Sequence, residues 1–142
     1  MGDTLATMDL FETVGGHDGV TALIDAFYTR VEADAELRSV YPEDLTPGRE
    51  KLALFFEQWL GGPPVYSEKY GHPRLRLRHF PFVIAEKHAG LWLKHMRGAC
   101  HERGIPADAE RAMFERLAPL AKHMVNAHED VPREPLGDVR LQ

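Results

Sequence analysis

One stretch of the sequence combines residue types that can hold a metal-bearing cofactor. Residues 70–82 read YGHPRLRLRHFPF, where His79 follows alternating arginines and leucines and precedes Phe80 and Phe82. An imidazole nitrogen is a strong ligand for iron, guanidinium groups pair with carboxylates, and aromatic rings pack on flat apolar surfaces. A solvated loop with one histidine is the alternative interpretation. If the stretch is a site, it suits a flat apolar iron cofactor with peripheral carboxylates, and haem has that chemistry.

The aromatic residues around this stretch fall into a recognisable order. Tyr28 lies in the pair FY, Tyr41 lies in VYPED, and Trp92 follows His79 by thirteen residues, while the glycine pairs at 15–16 and 61–62 bracket the segments between. This pattern resembles the group II truncated haemoglobins over about residues 10 to 128. The resemblance implies an all-α, globin-like 2-over-2 helical sandwich in a single domain, with a long loop that carries the proximal histidine. Residues 1–9 and 129–142 then form a flexible N-terminus and a flexible C-terminal tail.

The resemblance also implies a role for individual residues around haem b. His79 is the expected iron ligand, and Tyr28, Tyr41 and Trp92 are the expected distal donors to a small ligand, with Tyr41 accepting a hydrogen bond from Tyr28. Gly48 occupies the position where longer globins carry a gating histidine, so it offers no side-chain bond. The remaining cofactor contacts are expected from Arg74, Arg78 and Tyr66 at the propionates and from Leu52, Phe55 and Phe82 at the porphyrin.

Composition limits the class of protein. A chain of 142 residues fits one domain, and a net charge of -5 argues against a nucleic-acid partner. The single cysteine, Cys100, cannot form an internal disulfide. No segment has the pattern of a signal peptide or a membrane span, so a cytoplasmic protein is expected.

Apolar periodicity predicts helices for most of the chain. A stripe from Val20 to Val31 has the spacing of an amphipathic helix, for which Asp18 or His17 is the expected cap. Gly15 and Gly16 should end a short helix before it, and residues 35–40 should form another short helix. Thr46 and Pro47 should start a helix whose stripe comprises Leu52, Phe55, Phe56, Trp59 and Leu60.

The second half of the chain is predicted to hold two long helices. Residues 65–79 show no strong helical pattern, since they contain Gly71, Pro73 and several cations. A long apolar face then runs from Ile84 to Ala99 and should end near Gly104. Asp108 is the expected cap of the last helix, whose stripe comprises Met113, Leu117, Leu120, Ala121, Met124 and Val125, with Pro119 inside it.

Three functions agree with these features. The first is a haem protein that binds O2, CO, NO or similar ligands, with tight oxygen binding suited to redox chemistry or oxygen and NO handling rather than bulk transport. The second is a nitric oxide dioxygenase or peroxidase-like enzyme that uses the same haem and an unknown reductase, and the third is a haemless interaction or sensor domain. A zinc site at His88, His95 and His101 is a weaker alternative, because no cysteine or carboxylate completes the spacing. These features also agree with a homodimer.

Overall fold

The computed structural model describes residues 9–71 and 85–125, and the regular elements within these ranges are helices. The all-α prediction is thereby confirmed. In chain order the helices are α1 (Leu10–Val14), α2 (Gly16–Ala33), α3 (Ala35–Arg38), α4 (Thr46–Trp59), α5 (Val65–Tyr70), α6 (Glu86–Glu102) and α7 (Ala107–His123).

Helix α2 is the central element of the sandwich. It packs against α4 on one side and against α6 on the other, and α7 packs on α6. The predicted stripe of α2 is buried throughout, as its amphipathic spacing indicates. The stripe comprises Val20, Leu23, Ile24, Phe27, Tyr28 and Val31. This arrangement of two helix pairs is the predicted 2-over-2 sandwich.

A left-handed glycine separates α1 from α2. Gly15 has φ 115°, and its N–H bonds to the carbonyl of Glu12 at 3.0 Å, which ends α1 as predicted. The expected cap of α2 was misplaced: the helix starts at Gly16 with Gly15 as its N-cap, so Asp18 lies within the first turn. The negative charge of Asp18 interacts favourably with the positive end of the helix dipole, but Asp18 is not the cap.

Helix α5 lies at the start of the range 65–79, where the sequence predicts no strong helix, so that prediction was wrong for residues 65–70. Residues 72–79 of the same range lie outside the described residues. A side chain of α4 fixes it: Gln58 Oε1 accepts a bond from the Ser67 N–H at 2.8 Å, and Gln58 Nε2 donates to Ser67 Oγ at 2.8 Å. Gly71 follows with φ 81° and ends the helix. The short helix therefore depends on a tertiary contact that local periodicity does not encode.

Helices α6 and α7 close the core around a single thiol. Cys100 is fully buried on α6, and burial raises its pKa to about 12. Glu110 of α7 accepts bonds from two residues of α6, Arg97 Nε at 3.0 Å and His101 Nε2 at 2.8 Å. Helix α7 begins at Ala107 with Pro106 as its N-cap, so the prediction of Asp108 as the cap was wrong. Asp108 lies in the first turn instead.

Among the residues at 9–71 and 85–125, no helix combines the length and hydropathy that a bilayer crossing requires.

Candidate functional site

Three predicted distal residues meet although they come from different elements. Tyr28 lies on α2, Tyr41 lies in the segment between α3 and α4, and Trp92 lies on α6. The rings of Tyr28 and Tyr41 stand edge to face with centroids 5.8 Å apart, and Trp92 packs on Phe27 with centroids 5.1 Å apart. The Trp92 indole N–H lies close enough to the Tyr41 hydroxyl to act on it as a hydrogen-bond donor and to lower its pKa. The hydrogen bond from Tyr28 to Tyr41 that is expected from the resemblance stays a prediction.

Both tyrosine hydroxyls stay protonated over the physiological pH range. Burial raises the pKa of Tyr41 well above its ordinary value, the neighbouring Tyr28 adds to the rise, and the bond from Trp92 partly opposes it. Burial likewise raises the pKa of Tyr28, and the positive charge of Arg49 opposes that rise. A phenol that keeps its proton can donate a hydrogen bond, so the pair offers donors inside an apolar environment.

The start of α4 borders the Tyr28 hydroxyl. A β carbon at Gly48 would lie 3.3 Å from the Tyr28 oxygen, so a larger side chain would crowd that hydroxyl. The next residue, Arg49, holds its guanidinium carbon 5.5 Å from the centre of the Tyr28 ring, and its Nη1 lies 3.7 Å from Asp25 Oδ1. Glycine at position 48 therefore makes room for the buried hydroxyl, and the guanidinium of Arg49 lies over the ring.

Apolar side chains next to these donors are only partly covered by protein. Leu52 and Phe55 of α4, together with Tyr41 and Trp92, pack against the core while part of each stays exposed. Phe55 makes an edge-to-face contact with the buried Tyr66 of α5, with centroids 5.8 Å apart. A flat apolar group would cover these exposed parts, and the tyrosine and indole groups would supply hydrogen-bond donors to a ligand that it binds. The described residues therefore fit haem.

The predicted proximal side lies outside the described residues. The range 72–84, which the structure does not describe, contains four of the predicted site residues: His79, Arg74, Arg78 and Phe82. Their roles as iron ligand, propionate partners and porphyrin contact stay predictions.

The three histidines of the alternative zinc site turn to separate partners. His88 Nδ1 accepts a bond from the Ala85 N–H at 3.0 Å, His95 Nε2 donates to Asp34 Oδ2 at 2.7 Å, and His101 pairs with Glu110. Within residues 9–71 and 85–125, no cluster of three potential ligands could hold a metal ion.

The sequence did not predict the polar contacts that surround the segment carrying Tyr41. Arg38 donates to backbone carbonyls of the segment that carries Tyr41, and Asp34 joins the start of α3 to α6 through His95. One sequence signal was present for Arg38, because a basic residue in the last turn of a helix commonly binds free carbonyls. The contact between Asp34 and His95 spans 61 positions and leaves no local signal.

Known proteins with similar sequences and structures place these features in a family. The family model for bacterial-like globins matches residues 9–126. The group 2 truncated haemoglobin YjbI of Bacillus subtilis is 41% identical over 114 residues, which is 80% of this chain and 86% of that protein.

Two solved structures share the fold over most of the chain. The group II truncated haemoglobin from Bacillus anthracis superposes with a TM-score of 0.81 at 40% identity, covering 87% of this chain and 98% of that one. A truncated oxygen-avid haemoglobin from Bacillus subtilis superposes with a TM-score of 0.79 at 39% identity, covering 84% and 100%. The chain therefore belongs to the bacterial-like globins and, within them, to the group II truncated haemoglobins, a family of haem proteins that bind small gaseous ligands.

Proposed function

We propose that this protein binds dioxygen tightly at a haem b whose proximal ligand is His79. The observation that carries the proposal is the hydrogen bond from Trp92 to Tyr41, with the Tyr28 ring against Tyr41. The relative from Bacillus subtilis that is described as oxygen-avid supports the same conclusion. Haem iron, when bound, supplies the coordination position for O2, CO or NO.

The order of donation makes Tyr41 the principal donor to a ligand. The Tyr41 oxygen already accepts from the Trp92 N–H, so its own O–H is available to donate towards the pocket. A donor that itself accepts a hydrogen bond is polarised, and hydrogen bonds in such a chain strengthen one another. Trp92 thus acts on the ligand through Tyr41. The Tyr28 ring stands against Tyr41.

The remaining predicted contacts hold the cofactor. Leu52 and Phe55 support the distal face of the porphyrin, and Phe82 supports it from the proximal segment. Arg78, Arg74 and Tyr66 pair with the propionates, with Arg78 the strongest partner because it adjoins His79 in sequence. Guanidinium groups suit this task because their donors can match both oxygens of a carboxylate.

Slow ligand release suits redox chemistry or the handling of oxygen and nitric oxide better than bulk oxygen transport. A nitric oxide dioxygenase or peroxidase-like activity is the second candidate, because the protonated tyrosine hydroxyls can donate hydrogen bonds to a polar oxygen-containing ligand. Either activity needs a reductase to supply electrons. Turnover of nitric oxide or peroxide with a chemical reductant separates these enzymes from a protein that only binds oxygen.

The proposal is tested by removing the donors while keeping the aromatic rings. Trp92→Phe and Tyr41→Phe should each speed oxygen dissociation roughly five- to thirty-fold, because a net hydrogen bond is worth about 1 to 2 kcal/mol. Bound carbon monoxide is less polar, so its dissociation should change much less. Stopped-flow displacement of both gases gives the two rates.

Trp59→Phe is the matched control for this test. Trp59 lies on α4 under the guanidinium of Arg116, at 4.5 Å, and is not among the predicted donors. Its replacement should leave both rates unchanged. Equal acceleration of the two gases in Trp92→Phe would indicate a widened pocket, and unchanged oxygen dissociation in both donor variants would contradict the proposed role.

A further inference from the structure

Arg38 organises the backbone that carries Tyr41. It is the last residue of α3, and its side chain folds over the segment that follows. Its Nη1 donates to the carbonyls of Tyr41 at 3.4 Å and Pro42 at 2.9 Å, and its Nη2 donates to the carbonyl of Glu43 at 2.8 Å. These carbonyls lie just after the end of α3, where backbone partners are scarce. One guanidinium therefore fixes three consecutive peptide units beside the Tyr41 side chain.

A second contact ties the start of the same helix to the helix of Trp92. Asp34 caps α3, since its Oδ1 accepts from the N–H groups of Glu36 at 3.0 Å and Leu37 at 3.3 Å. Its Oδ2 accepts from His95 Nε2 at 2.7 Å, and His95 lies one helical turn after Trp92 on α6. The side chains of Asp34 and His95 are 21% and 13% exposed, so solvent screens this contact less than a surface pair.

The two contacts act on the two partners of one hydrogen bond. Arg38 sets where Tyr41 stands relative to α3, and the contact between Asp34 and His95 sets where α3 stands relative to Trp92. A fork of three bonds and a largely buried pair leave the Tyr41 hydroxyl little freedom to move away from the indole. Hydrogen bonds weaken steeply when distance or angle departs from the optimum, so small displacements matter.

We propose that Asp34, Arg38 and His95 form a distal latch, a set of positioning residues that holds Tyr41 against Trp92 and thereby slows oxygen release without touching the ligand. The link to oxygen release rests on the proposed function. The latch itself is a statement about the hydrogen bond between Trp92 and Tyr41, which can be measured independently.

Arg38→Gln in the haem-loaded protein tests the latch. Oxygen dissociation should accelerate roughly three- to ten-fold, because the distal hydrogen bond is weakened and not deleted, while carbon monoxide dissociation changes less. Arg38→Lys keeps the charge but offers one flexible ammonium in place of the fork, so it should fall between the natural protein and Arg38→Gln. His95→Gln should act in the same direction as Arg38→Gln.

Arg30→Gln is the matched control. Arg30 is a half-buried arginine of α2 that pairs with Glu102 of α6 at 3.3 Å, away from the Tyr41 segment. Its replacement removes a partly exposed ion pair between α2 and α6, so it reports general loosening of the helix packing. It should leave oxygen dissociation unchanged.

A double substitution separates positioning from general loosening. If Arg38 acts through Tyr41, then Arg38→Gln in a Tyr41→Phe background should add no further acceleration. Additive effects of the two substitutions, or an Arg30→Gln effect as large as that of Arg38→Gln, would overturn the latch.

A second measurement distinguishes failure of the latch from failure of the proposed function. In the diamagnetic ferrous carbon monoxide complex, the Trp92 indole N–H gives a proton resonance that Trp92→Phe identifies. Arg38→Gln should move this resonance, and Arg30→Gln should not. One outcome supports the latch alone: Arg38→Gln moves the resonance, but Tyr41→Phe leaves oxygen release unchanged. The latch then stands, and the proposed role of Tyr41 in oxygen binding fails. An unmoved resonance in Arg38→Gln overturns the latch whatever the gas kinetics show.

Discussion

The surroundings of the Tyr41 hydroxyl could be predicted from the sequence only in part. That Tyr28, Tyr41 and Trp92 lie together at one site could be predicted, because the sequence around them carries the family pattern. Which of them donates to which could not be predicted, since that depends on how α2, α6 and the segment between α3 and α4 pack together. The structure gives the Tyr41 oxygen a donor from Trp92, and the residues that hold this geometry, such as Arg38, have no pattern of their own.

His79 is the residue on which the cofactor assignment depends most. We expect His79→Ala to lose the absorption bands of a histidine-ligated ferrous haem and to bind haem more weakly, because the iron loses its protein ligand. Absorption spectra of the ferrous and carbon monoxide forms measure this change. Added imidazole should restore part of the original spectrum.

His72→Ala is the matched control, since His72 lies in the same histidine- and arginine-bearing stretch. It should leave spectra and haem content unchanged. Unaltered spectra in His79→Ala, or altered spectra only in His72→Ala, would contradict the assignment of the proximal ligand.

At the scale of elements, long amphipathic helices were predictable and short contacts were not. The stripe of α2 is buried as its spacing indicates, and α4 begins at Thr46 as the threonine and proline suggest. Helix α5 escaped prediction because Gln58 of α4 holds Ser67. The starts of α2 and α7 shifted because Gly15 and Pro106 serve as N-caps in place of acidic residues.

We expect the stability contributed by the start of helix α6 to depend on pH. His88 Nδ1 accepts the Ala85 N–H, which requires that this nitrogen carry no proton. Burial holds the pKa of His88 below its ordinary value of 6.5, the charge of Lys87 adds to this, and Glu36 opposes it. Above pH 6.5 the histidine is neutral in folded and unfolded chains alike. As the pH falls below that value, the unfolded chain takes up a proton that the folded chain resists, so stability decreases.

His88→Asn should therefore lower the free energy of unfolding at pH 8 by about 1 kcal/mol, because one helix-capping bond is lost or weakened. The difference between the variant and the natural protein should shrink between pH 7 and pH 5. Urea denaturation across this range measures both effects. A difference that stays constant with pH would show that His88 does not titrate in this way.

At the scale of the whole molecule, the fold leaves an apolar wall partly uncovered. Leu52, Phe55, Tyr41 and Trp92 each border the core and keep exposed surface. Covering apolar surface is favourable in proportion to its area, so a cofactor that binds this wall contributes to the stability of the folded chain. Haem binding and folding are then thermodynamically linked.

Removal of haem should lower the melting temperature, and stoichiometric haem should restore it. At a free haem concentration 100 times Kd the linkage contributes about 2.7 kcal/mol, which corresponds to a rise of at least about 5 °C for a chain of this size. Scanning calorimetry of the apoprotein with added haem measures the rise, and His79→Ala should show a smaller one. No rise, or saturation at more than one haem per chain, would contradict a single specific site.

The rate at which the buried thiol of Cys100 is chemically modified can measure how often the core opens. A reagent in the surrounding water can reach the sulfur only when the packing around α6 separates, and the raised pKa leaves almost no thiolate while it stays closed. Each modification therefore records one opening event, and a chain with one cysteine records no other site. The speed at which the thiol is consumed thus reports how often the core opens, and a bound cofactor or a damaged latch would change that speed in proportion to its effect on the closed state.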